Sequence, residues 1–183
     1  MVNLYFVRHG EASSSWDKST DPGLSELGVQ QAEQAAQTLA DQIDAARLVS
    51  SPLARAQETA IPLSAKWGTS VQIEPMIAEI PSHGIPFAER RAWLSALMGS
   101  NWSGQAQPLL DWRAGILEIL QSQTEDTIFF THLMVLNVIV GALEKSEKIV
   151  SLRPDNCAIT KVGLTENRLK LLEKGREAVT IVR

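Results

Sequence analysis

Apolar and polar positions along this chain fall into blocks whose period switches between strand-like and helix-like. Residues 2–7 form a mostly apolar run that stops at Arg8-His9-Gly10, the pattern of a buried strand ending in a loop. Residues 11–24 hold serines, two aspartates, Pro22 and Gly23 and read as loop. Ser25 then stands as a helix N-cap with Glu26 near the positive end, and Ala32, Ala35, Ala36, Leu39 and Ile43 recur at helical spacing as a core face. Leu48-Val49 marks a second short strand, ending at Ser50-Ser51-Pro52. A helix follows from about Leu53 to Trp67, and Pro62 inside it is expected to kink it or cost a hydrogen bond. Val71 to Ile73 suggests another strand.

Residues 80–108 are less regular, with a helical patch from Phe87 to Met98. A helix from about Pro108 to Gln121 places Leu109, Trp112, Ile116 and Ile119 or Leu120 on one face. The β-rich run Thr127 to Thr131 leads to His132, and a helix from Leu133 to Glu144 comes next. Strands are expected near 157–163, 168–173 and 178–182, with Thr165-Glu166-Asn167 as a turn. Strands alternating with helices imply an α/β sheet covered on both faces. In such sheets catalytic groups gather beyond the carboxyl ends of the strands. Arg8-His9, Arg55 and His132 all fall there.

Composition narrows the classes. The chain has 183 residues, 44% of them hydrophobic and 21% charged, which suits one globular domain. A net charge of −4 argues against a nucleic-acid partner, which a basic excess would attract. Anionic substrates stay open, because a few arginines focused in one cleft outweigh a mildly acidic surface. The one cysteine, Cys157, excludes an internal disulfide and a multi-cysteine metal cluster, and is expected to be a small core residue. The N-terminal apolar run lacks a basic segment before it, and the stretch from Leu133 to Leu143 is too short to span a bilayer. A cytoplasmic protein without a membrane partner is expected. Oligomeric state is not readable.

Several stretches together carry a resemblance. Leu4-Tyr5-Phe6-Val7-Arg8-His9-Gly10-Glu11 resembles the opening of the histidine phosphatase superfamily, the phosphoglycerate mutase-like proteins. Leu24-Ser25-Glu26-Leu27-Gly28 with Gln31-Ala32 looks like that family's first helix start. Ser50-Ser51-Pro52-Leu53-Ala54-Arg55-Ala56-Gln57-Glu58-Thr59-Ala60 is very close to its second motif. Thr131-His132 resembles its second histidine, and Asp155-Asn156-Cys157-Ala158-Ile159 the segment opening a late strand. The resemblance implies a three-layer α/β/α sandwich. Its sheet would be mostly parallel with an antiparallel strand towards the C-terminus. One domain would span 1–183, with residues 80–115 as a small cap over the site.

The resemblance also implies a metal-independent phosphomonoester hydrolase working through a phosphohistidine on His9, with no cofactor. The residue types suit that chemistry. A phosphate monoester is a dianion, and Arg8 and Arg55 offer permanently charged forks that match it. His132 beside the dianion is expected to have a raised pKa and to act as a third cationic donor. His9 needs one ring nitrogen with a free lone pair. Glu79 is the best candidate for the acid that protonates the leaving group, with Glu74 as rival.

Departures from the family pattern bear on the substrate. Ala12 and Ser15 stand where Thr and Asn are usual, so either Ser14 or Ser15 replaces a phosphoryl contact or that contact is missing. Leu133-Met134 replaces a glycine pair, leaving the Leu133 N–H as a donor at a helix start. Trp16 and His83 are candidates for substrate contact. Trp93, Trp102 and Trp112 are expected to pack the core or cap. Arg90 and Arg91 would either engage a second anionic group or form a solvated helix face. The expected substrate is a phosphorylated small molecule or a phosphoprotein. A mutase-type phosphotransferase, a phosphohistidine-protein phosphatase and a non-catalytic phosphate-binding module are the alternatives.

Overall fold

Four parallel strands form the centre and one side of the sheet in this computed structural model, which describes residues 1–14, 19–82 and 84–178. They are β1 (Val2–Arg8), β2 (Arg47–Ser50), β3 (Val71–Ile73) and β4 (Thr127–Thr131). Two further strands, β5 (Ile159–Thr165) and β6 (Arg168–Glu173), extend the opposite side. The order is β3-β2-β4-β1-β5-β6, with β5 antiparallel to both β1 and β6. Five α-helices are described: α1 (Glu26–Gln42), α2 (Ala54–Trp67), α3 (Arg90–Met98), α4 (Gln107–Gln121) and α5 (Leu133–Leu143).

Strand alternation divides the core into two halves. In β1, Tyr5 and Val7 point to one face and join Ile128 and Phe130 of β4 with Ala36 and Leu39 of α1 and Ala60 and Leu63 of α2. Leu4 and Phe6 point to the other face, with Phe129, α4 and α5. There Phe6 and Phe129 stack at 5.0 Å between centroids and 7° between planes. Two apolar faces on one sheet, each covered by a helix pair, make three layers. α5 is buried from Met134 through Gly141, which explains its nearly continuous hydrophobicity. The polar exception, Asn137, is fully used. Its amide donates to the Leu133 and Leu152 carbonyls and accepts from the Ser151 and Leu152 N–H groups. That ties segment 151–152 to the helix.

Local chemistry sets most boundaries. Ser25 caps α1, its Oγ accepting from the Gly28 N–H at 3.0 Å. Pro62 does not end α2, which runs on to Trp67 and stops at Gly68 with φ +64. Glu166 and Asn167, at φ +49 and +59, form the two-residue turn between β5 and β6. The strand predicted from 157 begins at Ile159, because Cys157 sits at φ +55 in the preceding turn. Of the strand predicted at 178–182, Ala178 donates to the Arg153 carbonyl, and the rest lies outside the described residues. Trp102 and Trp112 are buried and Trp93 packs against the same core. Among the described residues no helix is long and apolar enough to cross a membrane.

Candidate active site

The two histidines meet because their strands are neighbours. β1 and β4 run in register with Arg8 opposite Thr131, so His9 and His132 leave adjacent carboxyl ends. The His9 N–H donates to the Thr131 carbonyl at 2.9 Å, and the two rings lie 5.2 Å apart. β2 pairs with β4 on its other side and delivers Arg55 in the first turn of α2. The loop after β1 lies close against α1. A Cβ on Gly10 would stand 2.6 Å from the Gly28 carbonyl oxygen, and one on Gly28 would stand 2.1 Å from that of Glu11. Glycine at both positions is what lets this loop sit beside the helix.

His9 is 8% exposed, and its Nδ1 lies 2.7 Å from the Gly10 carbonyl oxygen. A carbonyl only accepts, so Nδ1 carries the proton and Nε2 keeps its lone pair. The Arg55 Nε–H donates to that Nε2 at 3.2 Å. Burial, then Arg55 and Arg8, push the His9 pKa down to about 3, against the opposing pull of the Gly10 carbonyl. The imidazole is therefore neutral at ordinary pH.

Both arginines are held by the fold with donors to spare. Arg55 is buried, its Nη1 lies 3.9 Å from Asp21 Oδ1, and that nitrogen has no hydrogen-bond partner among the described residues. Arg8 donates through Nη1 to the Pro154 carbonyl at 2.8 Å, while its Nε has no partner among them. Burial lowers the pKa of each, yet guanidinium stays charged. Buried positive charge with unspent donors is the signature of an anion site.

His132 is fully buried. Its pKa lies well below the ordinary value, lowered by burial and then by His9, Arg55 and Arg8. The protein's own groups thus favour a neutral imidazole, and they alone do not set the cationic state expected beside a phosphate dianion. Its Nε2 is 2.7 Å from Ser51 Oγ, and its Nδ1 has no partner among the described residues. Leu133 opens α5 just beyond it, where first-turn N–H groups lack intrahelical acceptors.

Glu79 lines the same cavity of about 160 Å³ as His9, Arg55, Ala12, Ser14, Pro22 and Leu94. Its Oε1 accepts from the Ile80 and Met134 N–H groups at 3.0 and 3.2 Å. Burial raises its pKa over the opposing pull of those N–H groups and of Arg55 and Arg8. The rival Glu74 instead caps the short turn at Pro75–Ile77, accepting from the Met76 N–H. Ser14 reaches the cavity wall, whereas Ser15, Trp16 and His83 lie outside the described residues. Arg90 is engaged within its own segment, 5.6 Å over the Phe87 ring and bonded to the Ile85 carbonyl.

Cys157 is not a core residue. It is half-buried in a turn whose N–H donates to the Arg8 carbonyl, and burial, aided by Asp155 and opposed by Arg8, pushes its thiol up to about 12. Sequence reasoning also missed three supports. Ser51 holds His132. Thr59 accepts from the Gly10 N–H at 3.0 Å and donates to the Arg55 carbonyl at 2.6 Å. Asp21 accepts from the Ala54 N–H at 2.8 Å, beside Arg55. Ser51 and Thr59 lie within the second motif, so only their partners were hidden. Among the described residues no group of three or more His, Cys, Asp or Glu is placed to hold a metal ion.

Known proteins share this arrangement's frame. An uncharacterized protein of Mycobacterium tuberculosis is 36% identical over 82 residues, spanning 43% of this chain and 40% of that protein. The structure of mycobacterial glucosyl-3-phosphoglycerate phosphatase is similar with a TM-score of 0.70, at 22% identity, covering 95% of this chain and 98% of the other. Phosphoserine phosphatase of Entamoeba histolytica gives 0.74 at 21% identity, covering 96% and 98%. At such identities the likeness speaks for the fold. The sequence profile of the histidine phosphatase superfamily (branch 1) matches residues 4–176, and the chain belongs to that family.

Proposed function

We propose that this protein hydrolyses phosphate monoesters in two steps through a phosphohistidine on His9. The observation that carries the reading is the state of His9, neutral, with Nδ1–H held by the Gly10 carbonyl and the Nε2 lone pair facing the buried Arg55, while the half-buried Arg8 acts on the same ring. In the first step that lone pair attacks phosphorus and the ester P–O bond breaks. The departing oxygen takes its electron pair together with the proton of Glu79, whose raised pKa favours the acid form. In the second step Glu79 removes a proton from water, the hydroxyl attacks phosphorus, and the P–N bond breaks to restore the Nε2 lone pair. Arg8 and Arg55 hold the equatorial oxygens throughout, joined by the first-turn N–H of Leu133 and by Ser14.

Residues 80–115 form the cap in this reading, with Leu94 of α3 as its contribution to the cavity wall. Ala12, Pro22 and Leu94 give that wall an apolar character, which suits a small phosphorylated molecule. Both phosphatases of known structure named above act on esters of that kind. The placement of Glu79 favours an alkyl ester over a protein phosphohistidine, whose leaving group needs little acid.

The test is turnover of an aryl phosphate in excess chelator, with rapid quenching of the reaction. Wild type should turn over and carry acid-labile, base-stable phosphate on His9, and His9→Ala should lose both. Binding of phosphate without turnover, or label on a serine, would overturn the proposal.

A further inference from the structure

We infer that Ser51 is a positioning residue that fixes the tautomer of His132, so that this imidazole meets the phosphoryl group as an uncharged Nδ1–H donor. The inference rests on the reading above for the identity of the anion, but the hydrogen-bond argument stands on its own.

Ser51 and His132 are both fully buried, so neither can turn to bulk water for a partner. The Ser51 Oγ already accepts from the Leu53 N–H at 3.2 Å. Its single hydroxyl proton has one acceptor within reach among the described residues, the His132 Nε2 at 2.7 Å. Two arrangements can be compared. If Nε2 carried the ring proton it would donate to Ser51, leaving the hydroxyl proton without an acceptor and the Nδ1 lone pair without a donor. If Ser51 donates to Nε2, the ring proton sits on Nδ1, and Nδ1–H is the one group left unmatched. Two buried unsatisfied groups cost more than one, so the second arrangement wins. The remaining N–H is the kind of donor an anion satisfies. Burial and the charges of Arg8 and Arg55 oppose a doubly protonated ring, and the phosphate arm of the experiment reads whether the anion reverses that.

The two histidines then divide the work by tautomer alone. Both carry the proton on Nδ1. Gly10 holds that edge of His9 and leaves its Nε2 lone pair facing Arg55, while Ser51 holds the Nε2 edge of His132 and leaves its N–H unpaired among the described residues. One ring attacks phosphorus and the other stabilises oxygen, with neither needing to change protonation first.

The experiment is long-range ¹H–¹⁵N spectroscopy of the imidazole nitrogens, free and with inorganic phosphate, from pH 6 to 8. The chain has three histidines, and His132→Gln assigns the third set of signals by its loss. His132 should show a pyrrole-type Nδ1 and a pyridine-type Nε2 in both states. Ser51→Ala should release the tautomer towards averaged signals and weaken phosphate binding about tenfold. Ser51→Thr, which keeps the hydroxyl, should restore both. An Nε2–H tautomer in wild type, a doubly protonated ring in the phosphate complex, or ring signals indifferent to Ser51→Ala would each overturn the inference. If the tautomer is as stated but His9 is never phosphorylated, the proposed function fails and the role of Ser51 survives.

Discussion

Burial has opposite consequences for His9 and Glu79, and each consequence suits the task proposed for it. It strips the proton from His9, whose pKa falls to about 3, and it helps Glu79 keep its own. The proposed nucleophile, which needs no deprotonation, thus shares a cavity with the carboxyl proposed as donor. Glu79→Gln removes the donated proton while keeping an oxygen able to accept from the Ile80 and Met134 N–H groups. Alkyl phosphates, which leave as strongly basic alkoxides, should slow by about a hundredfold or more, and 4-nitrophenyl phosphate by less than tenfold. The ratio of kcat/KM for the two substrates reads this directly, and equal losses would remove Glu79 from the acid role. At this scale the gathering of Arg8, His9, Arg55 and His132 in one place was legible, because Arg8 ends β1, His9 and His132 each follow a strand directly, and Arg55 lies at the start of the helix after β2. The charge state that the protein's own groups give His132 was not. It depends on burial and on two guanidinium groups gathered from distant segments, and one sequence position carries no sign of either.

Elements meet closely where side chains are missing, and the loop after β1 against α1 is the clearest case. Gly28 lies in the first turn of α1, where helix propensity alone would favour alanine by about 1 kcal/mol. The Glu11 carbonyl oxygen, 2.1 Å from where that methyl would stand, dictates the reverse. Gly28→Ala should therefore destabilise the protein by about 3 kcal/mol, since backbone must move. It should also impair turnover by displacing the segment that follows His9. Urea unfolding checks the first, and a variant as stable as wild type would show that this packing is not needed. The elements themselves were largely readable. Apolar period and N-cap fixed α1, and a β-rich run followed by an apolar helix fixed β4 and α5. Pro62 did not obscure α2, because a proline within the helix removes one hydrogen bond while tertiary packing of Ala60 and Leu63 keeps the helix whole. The start of β5 was misplaced by two residues, since no propensity announces that Cys157 takes the left-handed conformation.

For the whole molecule, gathering cations and neutral imidazoles around one cleft sets how stability responds to acid. The unfolded chain returns His9 to its ordinary pKa of 6.5, whereas the folded value is about 3. Between those values the unfolded state binds the proton and the native state refuses it, so stability rises with pH across that window. The contribution is complete above pH 6.5 and is lost as pH falls towards 3. Each group contributes a slope of about 1.4 kcal/mol per pH unit inside its window, so lowering pH from 7 to 5 should cost about 2 kcal/mol through His9. His132 acts in the same direction. Glu79 opposes both, because a carboxyl with a raised folded pKa is relieved by acid. The raw pH profile therefore mixes signs, and only a difference isolates one group. His9→Asn keeps an acceptor for Arg55 but cannot titrate. The gap in unfolding free energy between pH 7 and pH 5 should be about 2 kcal/mol smaller in this variant than in wild type. Urea titrations of the two proteins at both pH values supply the comparison. Equal gaps would mean that His9 is not held neutral by its surroundings, and the lone pair on which the proposed attack depends would lose its physical basis.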